Sequence, residues 1–181
     1  MPIENEAKIV LKDLDGVLEW LATRATREII QIYTPAGARY RKITVQPGAP
    51  GETSSSFWFT FKEKLGENLL EHEMPIEARD FDLALPHAVK RLTKRRTSWQ
   101  AGALHWDVDV LLRADGSPYF GLAEAEMPEG MVFDPAWIST ALLPFVHFVV
   151  QAADNEIFTN HKLSDEAYAA RVTRAYAARP I

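Results

Sequence analysis

The chain has 181 residues, 47% of them hydrophobic and 25% charged, with a net charge of -5, which suits one globular domain with its own core and excludes a surface built throughout for nucleic acid. It has no cysteine, so a disulfide framework and a thiolate metal site are both excluded. With 25 Asp and Glu against 5 His, any metal is expected to be a hard cation held through oxygen.

The N-terminus shows no charged segment leading into an apolar run, and the longest apolar stretch, near Ala141 to Val150, contains Pro144 and His147 and is too short to span a bilayer. A cytoplasmic location and no membrane partner are expected. The opening run Ile3 to Leu11 alternates charged and apolar residues and predicts a strand. Asp13 or Asp15 then caps a predicted helix through Val17, Leu18, Trp20 and Leu21. Glu28 to Thr34 and Ala38 to Val45 are predicted as paired strands around Pro35-Ala36-Gly37, and Gln46 to Ser56 as a long hairpin connection. Phe57 to Glu63 and Leu69 to Ala78 are the next two predicted strands, followed by a short helix, Asp80 to Leu92, interrupted at Pro86. Thr93 to Trp99, Leu104 to Leu112 and Tyr119 to Met127 give three more strands, joined at Gln100-Ala101-Gly102 and at Asp115-Gly116. From Pro128 the pattern reads as helical, through Trp137 to Val150 and again from Asp165 to Ala178. The expected class is α+β: a barrel or strongly curved antiparallel sheet with helices packed outside.

Charged residues recur in i, i+2 pairs inside these strands: Glu4 and Glu6 with Lys8, Arg39 and Arg41, Glu71 and Glu73, Lys94 and Arg96, Asp107 and Asp109, Glu124 and Glu126, with Lys62 beside Thr60. Residues i and i+2 share a strand face. For any one pair, a solvated sheet face is the simpler reading. The whole set, with acidic and basic pairs on nearly every strand, favours a bore lined with both signs of charge. Basic pairs suit a polyanion, Arg above all through its two-pronged contact with phosphate. Acidic pairs cannot touch phosphate directly, but they can hold Mg²⁺ or Mn²⁺ that bridges to it.

At this point the sequence resembles the CYTH domain, the triphosphate tunnel metalloenzyme superfamily. Glu4-Asn5-Glu6-Ala7-Lys8 reproduces its N-terminal ExExK signature, and the remaining pieces follow in order. Gln31-Ile32-Tyr33 is similar to Q-x-Y, Arg39-Tyr40-Arg41 to R-x-R, Thr60-Phe61-Lys62 to T-x-K, Glu71-His72-Glu73 to E-x-E and Lys94-Arg95-Arg96 to K-x-R. Gly121 to Glu126 matches the closing G-L-x-x-E-x-E, and Phe158-Thr159-Asn160 through Leu163 loosely resembles a terminal Y-x-N-x-x-L with Phe158 in place of Tyr.

The resemblance covers roughly the first 165 residues and implies a closed eight-stranded antiparallel tunnel with helices outside; the chain is expected as one domain, residues 1–181, in which the helical pattern at about 165–181 is an addition to the family's plan. Known members hydrolyse inorganic triphosphate, thiamine triphosphate or RNA 5′-triphosphate ends, or cyclise ATP, and use a divalent metal. Carried over, Glu4, Glu6 and Glu126, with Glu124 beside them, look like metal ligands for Mg²⁺ or Mn²⁺. Lys8, Arg39, Arg41, Lys62, Lys94 and Arg96 look like triphosphate contacts. Glu71 and Glu73 resemble the carboxylates that place a second metal or the attacking water. The implied activity is metal-dependent hydrolysis of inorganic or small organic triphosphate. The alternatives are an adenylate cyclase and a non-catalytic polyphosphate- or nucleotide-binding module.

The remaining expectations are secondary. The basic run Lys90 to Arg96 reads as bore ligands mixed with solvated charges rather than a nucleic-acid patch. His72 should point away from its two neighbours, and His147 is expected in the core. The five tryptophans are expected to pack sheet to helices. One of them could stack on a base, but nothing in the sequence selects which. A homodimer is left open.

Overall fold

In the computed structural model, residues 5–46, 53–65 and 68–178 are described. They form an α+β fold whose centre is one antiparallel sheet of nine strands, ordered β5-β4-β3-β2-β6-β7-β8-β1-β9. The strands are β1 (Glu6–Leu11), β2 (Thr26–Tyr33), β3 (Arg39–Gln46), β4 (Ser54–Leu65), β5 (Asn68–Ile76), β6 (Lys90–Ala101), β7 (Leu104–Leu112), β8 (Pro118–Glu126) and β9 (Val146–Val149). Four α-helices accompany them: α1 (Leu14–Ala22), α2 (Ala78–Ala84), α3 (Asn160–Leu163) and α4 (Glu166–Ala177).

Local chemistry sets the element ends. The Asp13 carboxylate accepts the Gly16 N–H and caps α1. Gly37 takes a φ of 80° in the β2–β3 turn, a conformation that glycine adopts without strain. α2 passes into a 3-10 turn, Leu85–His87, at Pro86, which removes the donor that another helical turn would need. β6 therefore starts at Lys90, inside the span whose pattern reads as helical.

The largest departure from the sequence pattern lies between Pro128 and Val150. In place of a helix there are two 3-10 turns, Pro135–Trp137 and Leu143–Phe145, and then β9. Each turn carries a proline near its start and stops after three residues. The β-branched residues beyond Pro144 instead pair with the outer edge of β1, with Val149 opposite Ile9 and Phe148 opposite Val10. His147 consequently sits exposed rather than in the core. This ninth strand also changes the sheet: among the described residues, no ladder joins β9 to β5, in contrast to the eight-stranded closed ring expected above.

Alternation along the strands splits the core in two. On the convex face, Ile9, Trp106, Val108, Val110 and Ala125 are buried against Val17 and Leu21 of α1, while Ile32 packs with Phe81 and Ala84 of α2. On the concave face at one end, Val10, Leu92, Leu111, Phe120 and Leu122 meet Phe158, Leu163 and Tyr176 from the C-terminal segment. Phe158 is fully buried, with ring centroids 5.4 Å from Tyr176 and 6.0 Å from Phe148. Phe158→Ala should cost about 3–5 kcal/mol through lost burial and the cavity left behind, read as a lowered urea midpoint. A change under about 1 kcal/mol would mean that this apolar plug does not hold the C-terminal segment in place.

Candidate functional site

The inward residues of the remaining strand levels are polar and enclose a cavity of about 680 Å³. Register explains how distant pieces of sequence meet there. Glu6 lies opposite Glu126, and Lys8 opposite Glu124. Glu124 in turn lies opposite Asp107, and Asp109 opposite Arg96. On the other arm, Tyr33 lies opposite Arg39, Arg39 opposite Thr60, and Thr60 opposite Glu73.

One wall is an ion-pair network on β1, β6, β7 and β8. Lys94 Nζ donates to Asp109 Oδ2 at 2.6 Å, and Arg96 reaches Asp109 through Nε at 2.6 Å and Nη2 at 2.5 Å. Arg96 also binds Asp107 and approaches Glu124 Oε2 at 3.4 Å. Lys8 Nζ lies 3.0 Å from Glu6 and 3.7 Å from Glu124. Burial alone would raise the Asp109 carboxyl, but Arg96 and Lys94 outweigh it and hold it at about 2. The same burial would lower Arg96, and Asp109 with Asp107 more than reverses it, leaving the guanidinium firmly charged. Burial pushes Glu124 up to about 7 against the pull of Arg96, with Asp109 and Glu6 adding to the rise. At the exposed rim, Glu126 is also raised, by desolvation and then by Asp107. This wall therefore carries carboxylates that its own cations do not fully neutralise.

The opposite wall holds two arginines. Arg39 Nη2 donates to Glu71 Oε1 at 2.9 Å, to Thr60 Oγ1 at 3.1 Å and to Glu73 Oε2 at 3.4 Å. Thr60 Oγ1 donates to Glu73 Oε2 at 3.1 Å, and Arg41 pairs with the same Glu73 oxygen. The Nε atoms of Arg39 and Arg41 are buried without a hydrogen-bond partner, a costly state. Burial lowers the pKa of Arg41, and Arg39 beside it adds to that, which favours an added negative charge.

Of the site residues expected from sequence, Glu6, Lys8, Arg39, Arg41, Glu71, Glu73, Lys94, Arg96, Glu124 and Glu126 all line this one cavity. Glu4 lies outside the described residues. The backbone of Lys62 pairs with Glu71 in β4–β5, but its side chain also falls outside the description. The basic run Lys90 to Arg96 divides by alternation: Lys94 and Arg96 turn into the cavity, while Arg91 is exposed. His72 is exposed, as expected for a residue between two inward carboxylates.

Sequence reasoning gave no site role to Asp107, although its pairing with Asp109 was visible, nor to the C-terminal wall. Asn155, Glu156, Thr159, Asn160 and His161 complete the cavity. Asn155 Nδ2 donates to the Glu6 carbonyl at 2.8 Å, Lys8 Nζ to the Phe158 carbonyl at 3.2 Å, and Lys94 Nζ to Asn160 Oδ1 at 3.3 Å. The His161 ring meets Tyr33 edge-on at 4.8 Å. This segment thus crosses the concave face from β1 to β2. Its 3-10 turns have no helical or strand period to reveal them, and only the Y-x-N-like signal at Phe158 to Asn160 marked it.

For a metal, the cavity offers the carboxylates of Glu6, Glu124 and Glu126, with the amides of Asn155 and Asn160 and the His161 ring on the C-terminal wall; the predominance of oxygen suits a hard cation. Among the described residues, no three His, Asp or Glu side chains already converge as an ion-holding group. Also among them, no helix is long and apolar enough to cross a membrane.

No family model matches the chain, and no curated protein does. Among solved structures, it is similar to a candidate adenylate cyclase from Bacillus halodurans, with 14% identity over 69% of this chain and 80% of that one and a TM-score of 0.47. It is also similar to the PH1819 protein of Pyrococcus horikoshii OT3, with 18% identity over 78% and 85% and a TM-score of 0.42. A chain of the Schizosaccharomyces pombe Mediator head module aligns with 8% identity over 94% and 90% and a TM-score of 0.40. Likenesses at this level assign no activity.

Proposed function

We propose that this chain is a divalent-metal-dependent hydrolase of a triphosphate, of the triphosphate tunnel metalloenzyme kind, its curved sheet serving as the tunnel. The observation that carries this reading is the mixed charge of one cavity. Arg39 and Arg41 line the cavity with a wall where Glu6, Glu124 and Glu126 come together. A polyanion accompanied by a cation suits both walls. The ordered motif resemblance supports the same reading.

Arg39, Arg41, Lys94, Arg96 and Lys8 bind the phosphoryl oxygens in this proposal, with Lys62 added from sequence. The geometry is mostly positioning and charge stabilisation, which is what phosphoryl transfer requires. Glu6 and Glu126 are the described residues that would hold Mg²⁺ or Mn²⁺, with Glu4 from sequence. Glu124 lies between Lys8 and Arg96 and would orient them as well as favour the cation. A bound divalent cation would supply charge neutralisation for the phosphoryl group. Glu71 and Glu73 pair with Arg39 and Arg41 and in this proposal align the attacking water. That water bonds to the terminal phosphorus as the bridging P–O bond breaks; the leaving group departs with the electron pair, and the water's proton passes to Glu71 or Glu73.

Product analysis tests the reaction class. With ATP, a hydrolase releases orthophosphate, whereas pyrophosphate with cyclic AMP would establish the cyclase alternative. Binding of triphosphate without any product would leave a binding module.

A further inference from the structure

The ammonium of Lys8 is enclosed by the chain's own oxygens. The side chain is 5% exposed, with Glu6 Oε1 3.0 Å away and Glu124 Oε1 3.7 Å away. The same Nζ donates to the Phe158 carbonyl at 3.2 Å and to the Asn155 carbonyl at 3.5 Å. An ammonium has three hydrogens and no lone pair. Glu6, Phe158 and Asn155 face all three, so this arrangement leaves none for a phosphate oxygen.

Register and packing bring these atoms together. Lys8 lies opposite Glu124, and Glu6 opposite Glu126, while i, i+2 spacing puts Glu6 and Lys8 on one face. From the other side the C-terminal segment presents its two carbonyls. It is held there by Asn155 Nδ2, which donates to the Glu6 carbonyl at 2.8 Å, and by the fully buried Phe158. Two carboxylates and two carbonyls thus surround one positive charge, and oxygens of this kind are what a hard cation takes. Among the described residues, no three acidic or histidine side chains form an ion-holding group of their own. Glu6 and Glu124 turn to the ammonium instead.

We propose that Lys8 is the resident cation of the metal site: its ammonium holds Glu6 and Glu124 as a divalent ion would, and the two cations compete for these carboxylates. The inference rests on the metal-dependent reading of the cavity and adds an order to it. Lys8 becomes free to turn to the phosphoryl oxygens only when its carboxylates have another partner. Competition follows from placement, because positive charges brought this close repel strongly where water screens them poorly.

The test is the Mn²⁺ affinity of the whole protein with no phosphate compound present, read from the paramagnetic resonance signal of the free ion. Lys8→Met keeps a long apolar stem and removes the charge. It should bind Mn²⁺ about tenfold or more tighter than wild type, a coupling of ordinary size for linked sites. Lys8→Arg restores a cation and should return the affinity towards the wild-type value. Arg41→Met removes a charge from the opposite wall, where the partner is Glu73, and should change the affinity far less. Thermal melts give a second readout: Mn²⁺ should stabilise Lys8→Met more than wild type, because the ion replaces the lost counter-charge of Glu6 and Glu124. If Lys8→Met folds only with Mn²⁺, that rescue is the same result, and Lys8→Gln, neutral but still a hydrogen-bond donor, supplies the affinity. Equal or weaker Mn²⁺ binding by the neutral Lys8 variants, or an equal gain in Arg41→Met, would overturn the proposal. The metal reading is judged apart. Mn²⁺ bound equally by wild type and Lys8→Met would leave that reading standing without the competition, whereas no Mn²⁺ binding by any of these proteins would remove both.

Discussion

Arg96→Ala should lower the melting temperature by about 6–20 °C and abolish measurable triphosphate binding. The guanidinium bridges Asp107, Asp109 and Glu124 from three contact atoms, and the Asp109 side chain is only 1% exposed. Removing one partner of such a buried pair leaves a charge in a place that water cannot reach, at a cost of about 3–5 kcal/mol. For a domain of this size, each kcal/mol moves the midpoint by about 2–4 °C. Lys94 still touches Asp109 at 2.6 Å, which keeps the loss below that of a wholly orphaned carboxylate. Arg96→Lys should fall between wild type and the alanine variant, because one ammonium cannot span Asp107 and Asp109 as the planar fork does. Thermal melts of the three proteins check this ordering. An alanine variant within 2 °C of wild type would show that the network is solvated and does not hold the sheet together.

Glu126→Ala and Glu6→Ala should each reduce metal-dependent turnover by about 100-fold or more, the scale seen when a single electrostatic partner of the transition state is removed, and should leave the fold intact. Glu126 is exposed at the cavity rim, so its removal creates no void, whereas Glu6, opposite it across β1 and β8, lies 3.0 Å from the buried Lys8 Nζ, so Glu6→Ala should keep the fold at some cost in stability. The Glu126 carboxyl is raised by desolvation and by Asp107, so its loss relieves repulsion rather than breaking an attraction. Stability of Glu126→Ala at neutral pH should hold or rise slightly. Rates measured across a Mg²⁺ titration, beside a melt of each variant, separate the two effects. A variant with wild-type rates would remove that residue from the metal site.

The strands and their charged pairs were legible because period-2 alternation is local, and it directly sets which residues share a face. Trp106, Val108 and Val110 against Asp107 and Asp109 show this within one strand: the first three are in the convex core, and the two acids are in the ion-pair network. The pairing order was less legible. A ninth strand at Val146–Val149 depends on an open edge of β1, a tertiary circumstance that overrode an apolar run resembling a helix. The same holds for the cavity wall at Asn155 to His161, whose side chains are brought in by Phe158 packing into the plug and by Lys8 reaching the backbone carbonyls. Burial of Lys8, Lys94 and Asp109, at 4%, 2% and 1% exposure, could not be read from a pattern that fits a solvated face equally well.

The most direct measurement is orthophosphate release from inorganic triphosphate, ATP and thiamine triphosphate, each with Mg²⁺, Mn²⁺ or EDTA. Release from at least one of them that is fast with a divalent cation and lost in EDTA is the expected result. The same slow release with and without metal, or none from any of the three by a folded protein, would contradict a metal-dependent triphosphatase in this cavity.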